Sequence, residues 1–145
     1  MLRCAILAGR GESTMAEQPL FPGLEQGLMD AQQHQRHLAA AVESRKLWME
    51  AGVAEDAAQC CLQAADNLEA WLADANVLAD RLPFGDNHDG NLTAEAYGVA
   101  GTRYLEVMKG VGELFLDMAA TYQAAGGLME QTDQHGAQGL DRGMR

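Results

Sequence analysis

Two histidines three residues apart, His34 and His37, come closest in this chain to a metal-binding arrangement, with Asp30 four residues ahead of His34. Residues three and four apart on a helix share a face, so such a group could converge on an ion. No third ligand stands at the spacing a zinc site needs, and no Glu-x-x-His pair of the di-iron bundle type occurs. The pair therefore reads as a solvated helix face. The hexapeptide DNHDGN at 86–91 has the composition of a calcium loop. Its glycine is misplaced, however, and no bidentate glutamate follows at the twelfth position. It reads as a polar turn. Cys60 and Cys61 are adjacent, and adjacent helical side chains diverge by about 100°, so they neither share one metal nor pair readily. They are expected to act as small packing residues.

Other chemistry fares no better. The segment AILAGRGES at 5–13 is faintly like a phosphate-cradling glycine loop, but that device needs a strand before it and a helix after it in an α/β sheet. Nothing downstream alternates strand and helix. Asn91-Leu92-Thr93 is a glycosylation sequon with no secretory signal to give it force. No serine has a candidate base and orienting group, and the acidic residues are dispersed rather than gathered in an apolar setting. No catalytic residue, metal ligand or cofactor is expected, and the chain is read as non-enzymatic.

The elements that position these residues are helical throughout. The 145 residues are 48% hydrophobic with only 3 prolines, which is enough to bury a core and argues against wholesale disorder. Alanine, leucine, glutamine and methionine dominate over β-branched residues, a palette that favours helix. The formal net charge is -11, and between Glu50 and Glu95 ten acidic residues face one basic residue, Arg81. Such a surface repels phosphate backbones and anionic lipid, so neither nucleic acid nor a membrane surface is an expected partner. No stretch is long enough to span a membrane. The first fourteen residues, MLRCAILAGRGEST, carry a short apolar run and no convincing cleavage site, so no Sec-type signal peptide is expected. Met15 reads as an alternative start, which would leave 1–14 untranslated.

Along the chain, 1–23 is expected to be flexible and 24–133 to form one helical domain. A first helix is expected over 24–49, with Leu24, Leu28, Ala31, Leu38 and Val42 on one face. The second, over 53–82, is marked by Val53, Ala57, Cys60, Ala64, Leu68, Trp71, Ala75, Leu78 and Leu82 at steps of three and four. Pro83 stops it, and Asn91 or Thr93 is expected to cap the third helix, with Glu95 in its first turn. That helix, over 92–132, carries Tyr97, Gly101, Tyr104, Met108, Val111, Phe115, Met118, Tyr122, Ala125 and Met129 in alternating steps of four and three. This heptad seam predicts coiled-coil-like packing in an antiparallel hairpin of long helices, roughly 45–60 Å each, with the first helix added to it. Residues 134–145 are expected to be a disordered tail. The predicted hairpin core is Leu68, Trp71 and Leu78 against Tyr97, Tyr104, Met108, Val111, Phe115, Met118 and Tyr122.

Beside the seam runs a row of mostly small residues, Gly98, Leu105, Gly112, Ala119 and Gly126, where another helix backbone can approach closely. On the other flank stand Val107, Leu114 and Leu128. A hairpin closed on its seam leaves a flank uncovered, so the expected partner interface is Gly98, Leu105, Val107, Gly112, Leu114, Ala119 and Gly126.

From about 51 to 133 the chain resembles the WxG and EspC-like helical-hairpin proteins of type VII (ESX) secretion. The resemblance is carried by the alanine-rich EDAAQCCLQAADNLEAWLADANVLAD, the glycine-containing loop FGDN, Tyr97 early in the next helix, and the closing LFLDMAATYQAAGGLMEQTD. Phe84-Gly85 stands where that family has W-x-G, and Gly126 stands four residues after Tyr122 where its export signature places an acid. The resemblance implies a four-helix pairing with a helical partner, and a protein made in the cytoplasm that is a secreted substrate or its escort. A homo-oligomeric structural bundle is the alternative from the residues alone.

Overall fold

A computed structural model describes the backbone of residues 20–143 and side chains through Leu128. The glycine-rich 5–13 segment, the alternative start at Met15 and most of the expected flexible lead-in lie outside the described residues. Within them are three α-helices and no strand: α1 (Pro22–Glu43), α2 (Ala51–Ala75), prolonged by a 3-10 turn (Asn76–Ala79), and α3 (His88–Gly143).

Each boundary has a local cause. Pro22 occupies the first turn of α1, where its missing N–H costs nothing and its fixed φ suits the helix. The expected run to 49 is cut at Glu43 by a reversal that no glycine announces. Arg45 takes φ +57°, and its N–H donates to the Val42 carbonyl while Lys46 N–H donates to that of Ala41. These are the two bonds of a Schellman motif, which normally places glycine at the left-handed position. At the other end, α3 starts at His88, four residues before the expected 92. Asn87 is the cap: its side-chain oxygen accepts from Gly90 N–H at 2.7 Å. Asp89, rather than Glu95, is the acid of the first turn. Thr93 instead donates its hydroxyl to the Asp89 carbonyl. The expected tail is also corrected, because α3 continues as backbone helix to Gly143 over 56 residues. No proline stands beyond Pro83, and glycine lowers helix propensity without removing an N–H.

The three helices pack unequally. Gly126 lies against Ala54, Gly112 against Leu68 and Gly101 against Leu78. Residue numbers thus rise along α3 as they fall along α2, and the two run in opposite directions. Against α1 the numbers rise together: Phe21 meets Tyr104, Leu28 meets Gly110, and Gln35 reaches Asp117 and Thr121. No Cα of α1 comes within 8 Å of one in α2. The long helix therefore holds the other two on separate sides of itself, joined only by the 44–50 loop, whose Met49 N–H donates to the Ala125 carbonyl.

The buried apolar residues are mostly small: Ala54, Ala58, Cys61, Ala65, Ala75, Ala94, Ala119 and Ala125, with Val42, Leu105 and Val107. No large side chain is fully buried among the described residues. Alanine stripes let helix axes approach closely but bury little area each, so the large side chains of this chain must be sought elsewhere.

Candidate partner-binding cleft

The register of α2 shows where they went. Its buried positions are Ala54, Ala58, Cys61, Ala65 and Ala75; the first four lie one residue later than the expected Val53, Ala57, Cys60 and Ala64, while Ala75 is buried as expected. Cys61 is inside and Cys60 is exposed, so only one of the adjacent cysteines is a packing residue. Burial pushes the Cys61 thiol above its ordinary pKa, and the neighbouring Cys60 adds to the rise. A one-residue step turns the helix by about 100°, which moves the larger stripe of Val53, Trp71 and Leu78 to the edge of the contact with α3, where all three stay exposed.

The same displacement occurs on α3. The row of mostly small residues, expected to receive a partner, is filled from within the chain. Leu105 and Ala119 are buried, Ala119 to 2% exposure, and Gly126 lies under α2. A Cβ at Gly126 would fall 2.7 Å from that of Ala54, one at Gly112 would fall 3.6 Å from Leu68 Cδ2, and one at Gly98 would fall 3.7 Å from the Ala79 carbonyl oxygen. At Gly101 a Cβ would collide with the Leu78 carbonyl, so only glycine permits that backbone contact. The opposite flank is also taken. Val107 is buried and Leu114 half-buried, in the row where Gly110 and Thr121 meet Leu28 and Gln35 of α1. Leu128 is half-buried near the end of the described side chains. As drawn from sequence, the partner interface is the intramolecular packing surface, and small residues explain why: they let a neighbouring backbone sit closest.

What stays open is the seam. Tyr104, Met108, Val111, Phe115, Met118 and Tyr122 are half-buried rather than enclosed, and Tyr97 is 58% exposed. On α2, Leu68 is half-buried, Trp71 is 41% and Leu78 42% exposed. None of the ten residues expected as hairpin core is fully enclosed. Five of them, Leu78, Tyr97, Tyr104, Met118 and Tyr122, border two separate hollows over α3. At one end a hollow of about 300 Å³ is bounded by Phe21, Val77, Leu78, Leu82, Tyr97, Ala100, Gly101 and Tyr104. Two edge-on ring contacts tie its walls to the floor, Phe21–Tyr104 with centroids at 5.8 Å and Trp71–Tyr104 at 6.0 Å. At the far end Leu38, Val42, Leu47 and Met49 meet Met118, Tyr122 and Ala125. Between them Met108, Val111 and Phe115 continue the seam at steps of four and three, half-buried on one face of α3. Some of these residues do structural work too: Phe115, Met118 and Tyr122 lean on the Ala58–Cys61–Ala119 cluster.

Polar contacts fix the walls. Gln35, 7% exposed, donates from Nε2 to the Asp117 carbonyl at 2.9 Å and to Thr121 Oγ1 at 2.6 Å. Arg103 bonds Glu25 at 2.9 Å and Glu106 at 3.0 Å, and these bonds hold its guanidinium pKa above the ordinary value. The groups singled out for metal chemistry are placed apart from both hollows. His34 Nδ1 lies 2.8 Å from the Asp30 carbonyl, so the ring is engaged with its own helix. DNHDGN is divided, with 86–87 in the loop and 88–91 forming the first turn of α3. Among the described residues no three His, Cys, Asp or Glu side chains are grouped to hold an ion. Nor, among them, is any helix long and apolar enough to cross a membrane.

Comparison with family models, with curated proteins and with solved structures finds no match. The functional reading therefore rests on the exposed apolar side chains and on the sequence resemblance.

Proposed function

We propose that this chain is a non-enzymatic interaction module of the type VII secretion kind, which pairs with a helical partner as secreted substrate or escort. In this reading α2 and α3 act as an antiparallel hairpin, and coiled-coil-like packing along the seam is completed by the partner. The observation that carries it is that large apolar side chains on every element, Leu38, Trp71, Leu78 and Tyr97 among them, stay exposed. A monomer leaves Trp71, Leu78 and Tyr97 in water, and contiguous exposed apolar surface of this kind marks an interface. The acidic surface is consistent with a protein partner and unfavourable to nucleic acid or anionic membrane.

The test is co-expression with helical proteins encoded beside its gene, followed by sedimentation velocity and mass measurement of what co-purifies. A one-to-one complex with such a neighbour is expected, as is loss of export when the secretion system is deleted. A monomer that pairs with no neighbour would overturn the reading. A self-assembled oligomer indifferent to every neighbour would put the homo-oligomeric bundle in its place.

A further inference from the structure

We infer that residues 44–50 are a conformational hinge: α1 leaves α3 as a unit, and the segment then turns helical, so that α1 runs on into α2 as one helix. The inference goes beyond the proposed pairing and does not depend on which protein the chain meets. It starts from a conflict between local and tertiary preferences. The segment SRKLWME holds no glycine or proline, and Arg45, Lys46, Leu47, Met49 and Glu50 are all good helix formers. That composition is why a helix is expected through 49. The fold instead reverses the chain here, with Arg45 at φ +57°, where a Cβ is disfavoured and glycine is the usual occupant. Gly52, the nearest helix-weakening residue, already lies within α2, so a straight path adds no glycine to a helix.

What holds the bent form is the docking of α1, and that docking is separable from the rest of the fold. Of the 22 residues of α1 only Gln35 and Val42 are buried, whereas Leu24, Met29 and Leu38 are exposed. Its ties to α3 include Glu25 to Arg103 at 2.9 Å, Leu28 against Gly110, and Gln35 to the Asp117 carbonyl and Thr121. Arg103 is half open to water, where an ion pair adds little. The Ala58–Cys61–Ala119 cluster between α2 and α3 contains no α1 residue, and α1 and α2 do not touch. Release of α1 therefore leaves that contact intact, the mark of a sub-global opening. In the straight form Arg45 returns to right-handed helix, and Met49 N–H, which now donates to the Ala125 carbonyl, donates to that of Arg45. Release also uncovers α3 at Gly110, Asp117 and Thr121, so α1 is a removable cover for one flank of the long helix.

The test reads the distance between α1 and α2 within one chain. Spin labels go on Cys60 and on Met29→Cys, both exposed positions, in the full chain carrying Cys4→Ser and Cys61→Ala. Labelled chain is diluted with unlabelled chain, so pulsed electron spin resonance reads intramolecular distances alone. In the bent form the labelled turns lie beside Gly110 and Ala119 of α3, roughly 14 Å apart along its axis, which keeps the labels within about 30 Å. In one straight helix the 31 residues between them span about 46 Å. Glu25→Ala combined with Gln35→Ala removes ties without touching 44–50, and should raise the long-distance population about tenfold. Adding Arg45→Gly should reverse most of that rise, because glycine suits the bent turn and weakens the straight helix. Ser44→Ala, which removes the hydroxyl bond to the Ala41 carbonyl and favours helix, should shift the population the same way as the double variant by a smaller factor. It carries the test if the double variant does not fold. Circular dichroism should show no loss of helix on release. A broad spread of distances with reduced helicity overturns the proposal, since α1 would then simply unfold. So does a short distance that persists unchanged when the ties are removed, or a long-distance population indifferent to Arg45→Gly.

Discussion

The two rows of α3 that lie side by side behave in opposite ways. The row of Leu105, Gly112, Ala119 and Gly126 carries mostly small side chains and is closed by α2, while Tyr104, Val111 and Met118 in the next row carry large ones and stay half open. Apolar size alone would have ordered them the other way, because larger side chains gain more from burial. Backbone proximity reverses the order. Two helices meet most closely where side chains are smallest, and once α2 is seated there, the larger neighbours project past the contact into the space between helices. The row that looks like a binding groove is a packing surface, and the row that looks like a core is left half open.

This contrast can be broken most directly at Gly101. Gly101→Val places a branched side chain into the Leu78 carbonyl, and the loss should reach roughly 3 kcal/mol or prevent folding, as read by urea unfolding. Gly112→Leu should destabilise the isolated chain as well, by about 1–3 kcal/mol, because it presses on Leu68 of the same molecule. If Gly112→Leu were instead neutral in the monomer and harmful only to partner binding, the small row would be the interface after all.

The α1 side of the comparison is sharpened by Gln35→Ala. That change removes two of the side-chain hydrogen bonds holding α1 on α3 and should cost about 1–2 kcal/mol, with faster amide exchange in α1 than in α2. Uniform exchange across both helices would show that α1 is not separately docked. A smaller effect of opposite sign is expected at the turn between them. Arg45→Gly relieves a left-handed backbone position and should stabilise the chain by up to about 1 kcal/mol, visible as a rise in Tm.

The smallest effect lies in reactivity rather than stability, and it separates the two faces of α2. Cys60 is exposed and Cys61 is buried with its pKa raised, so at any given pH below that value Cys61 holds less thiolate. Under native conditions an alkylating reagent should label Cys60 first, and Cys61 should catch up only on unfolding. Fragment masses assign the site. Equal labelling would put the α2 register back to the one its larger residues suggest.

Much of this was legible in the sequence, and the limit is informative. The all-helical class follows from propensity and from steps of three and four, which are properties of each helix alone. Pro83 is a local signal too, although the helix expected to run to 82 ends at Ala79, and Pro22, expected in the lead-in, opens α1. Other ends escaped. The stop at Glu43 rests on Arg45 in a glycine's place, and the cap of α3 on Asn87 rather than on Asn91 or Thr93, since several residues in that stretch were eligible and only the closed turn selects one.

Which face meets which neighbour is a different kind of fact. A heptad seam says that Tyr104, Val111 and Met118 share a side of α3, but the seam on one helix does not state how far its neighbour is rotated. That rotation, about one residue on α2, emerged only when α1 and α2 took places on either side of α3. There the close approach at Gly101 and Gly126 competes with the burial of large side chains, and steric contact between backbones settles it. Sequence determined the helices and their apolar faces, because those depend on neighbours three and four residues away. Tertiary structure decided what those faces enclose, because that depends on residues seventy positions apart competing for the same side of one helix.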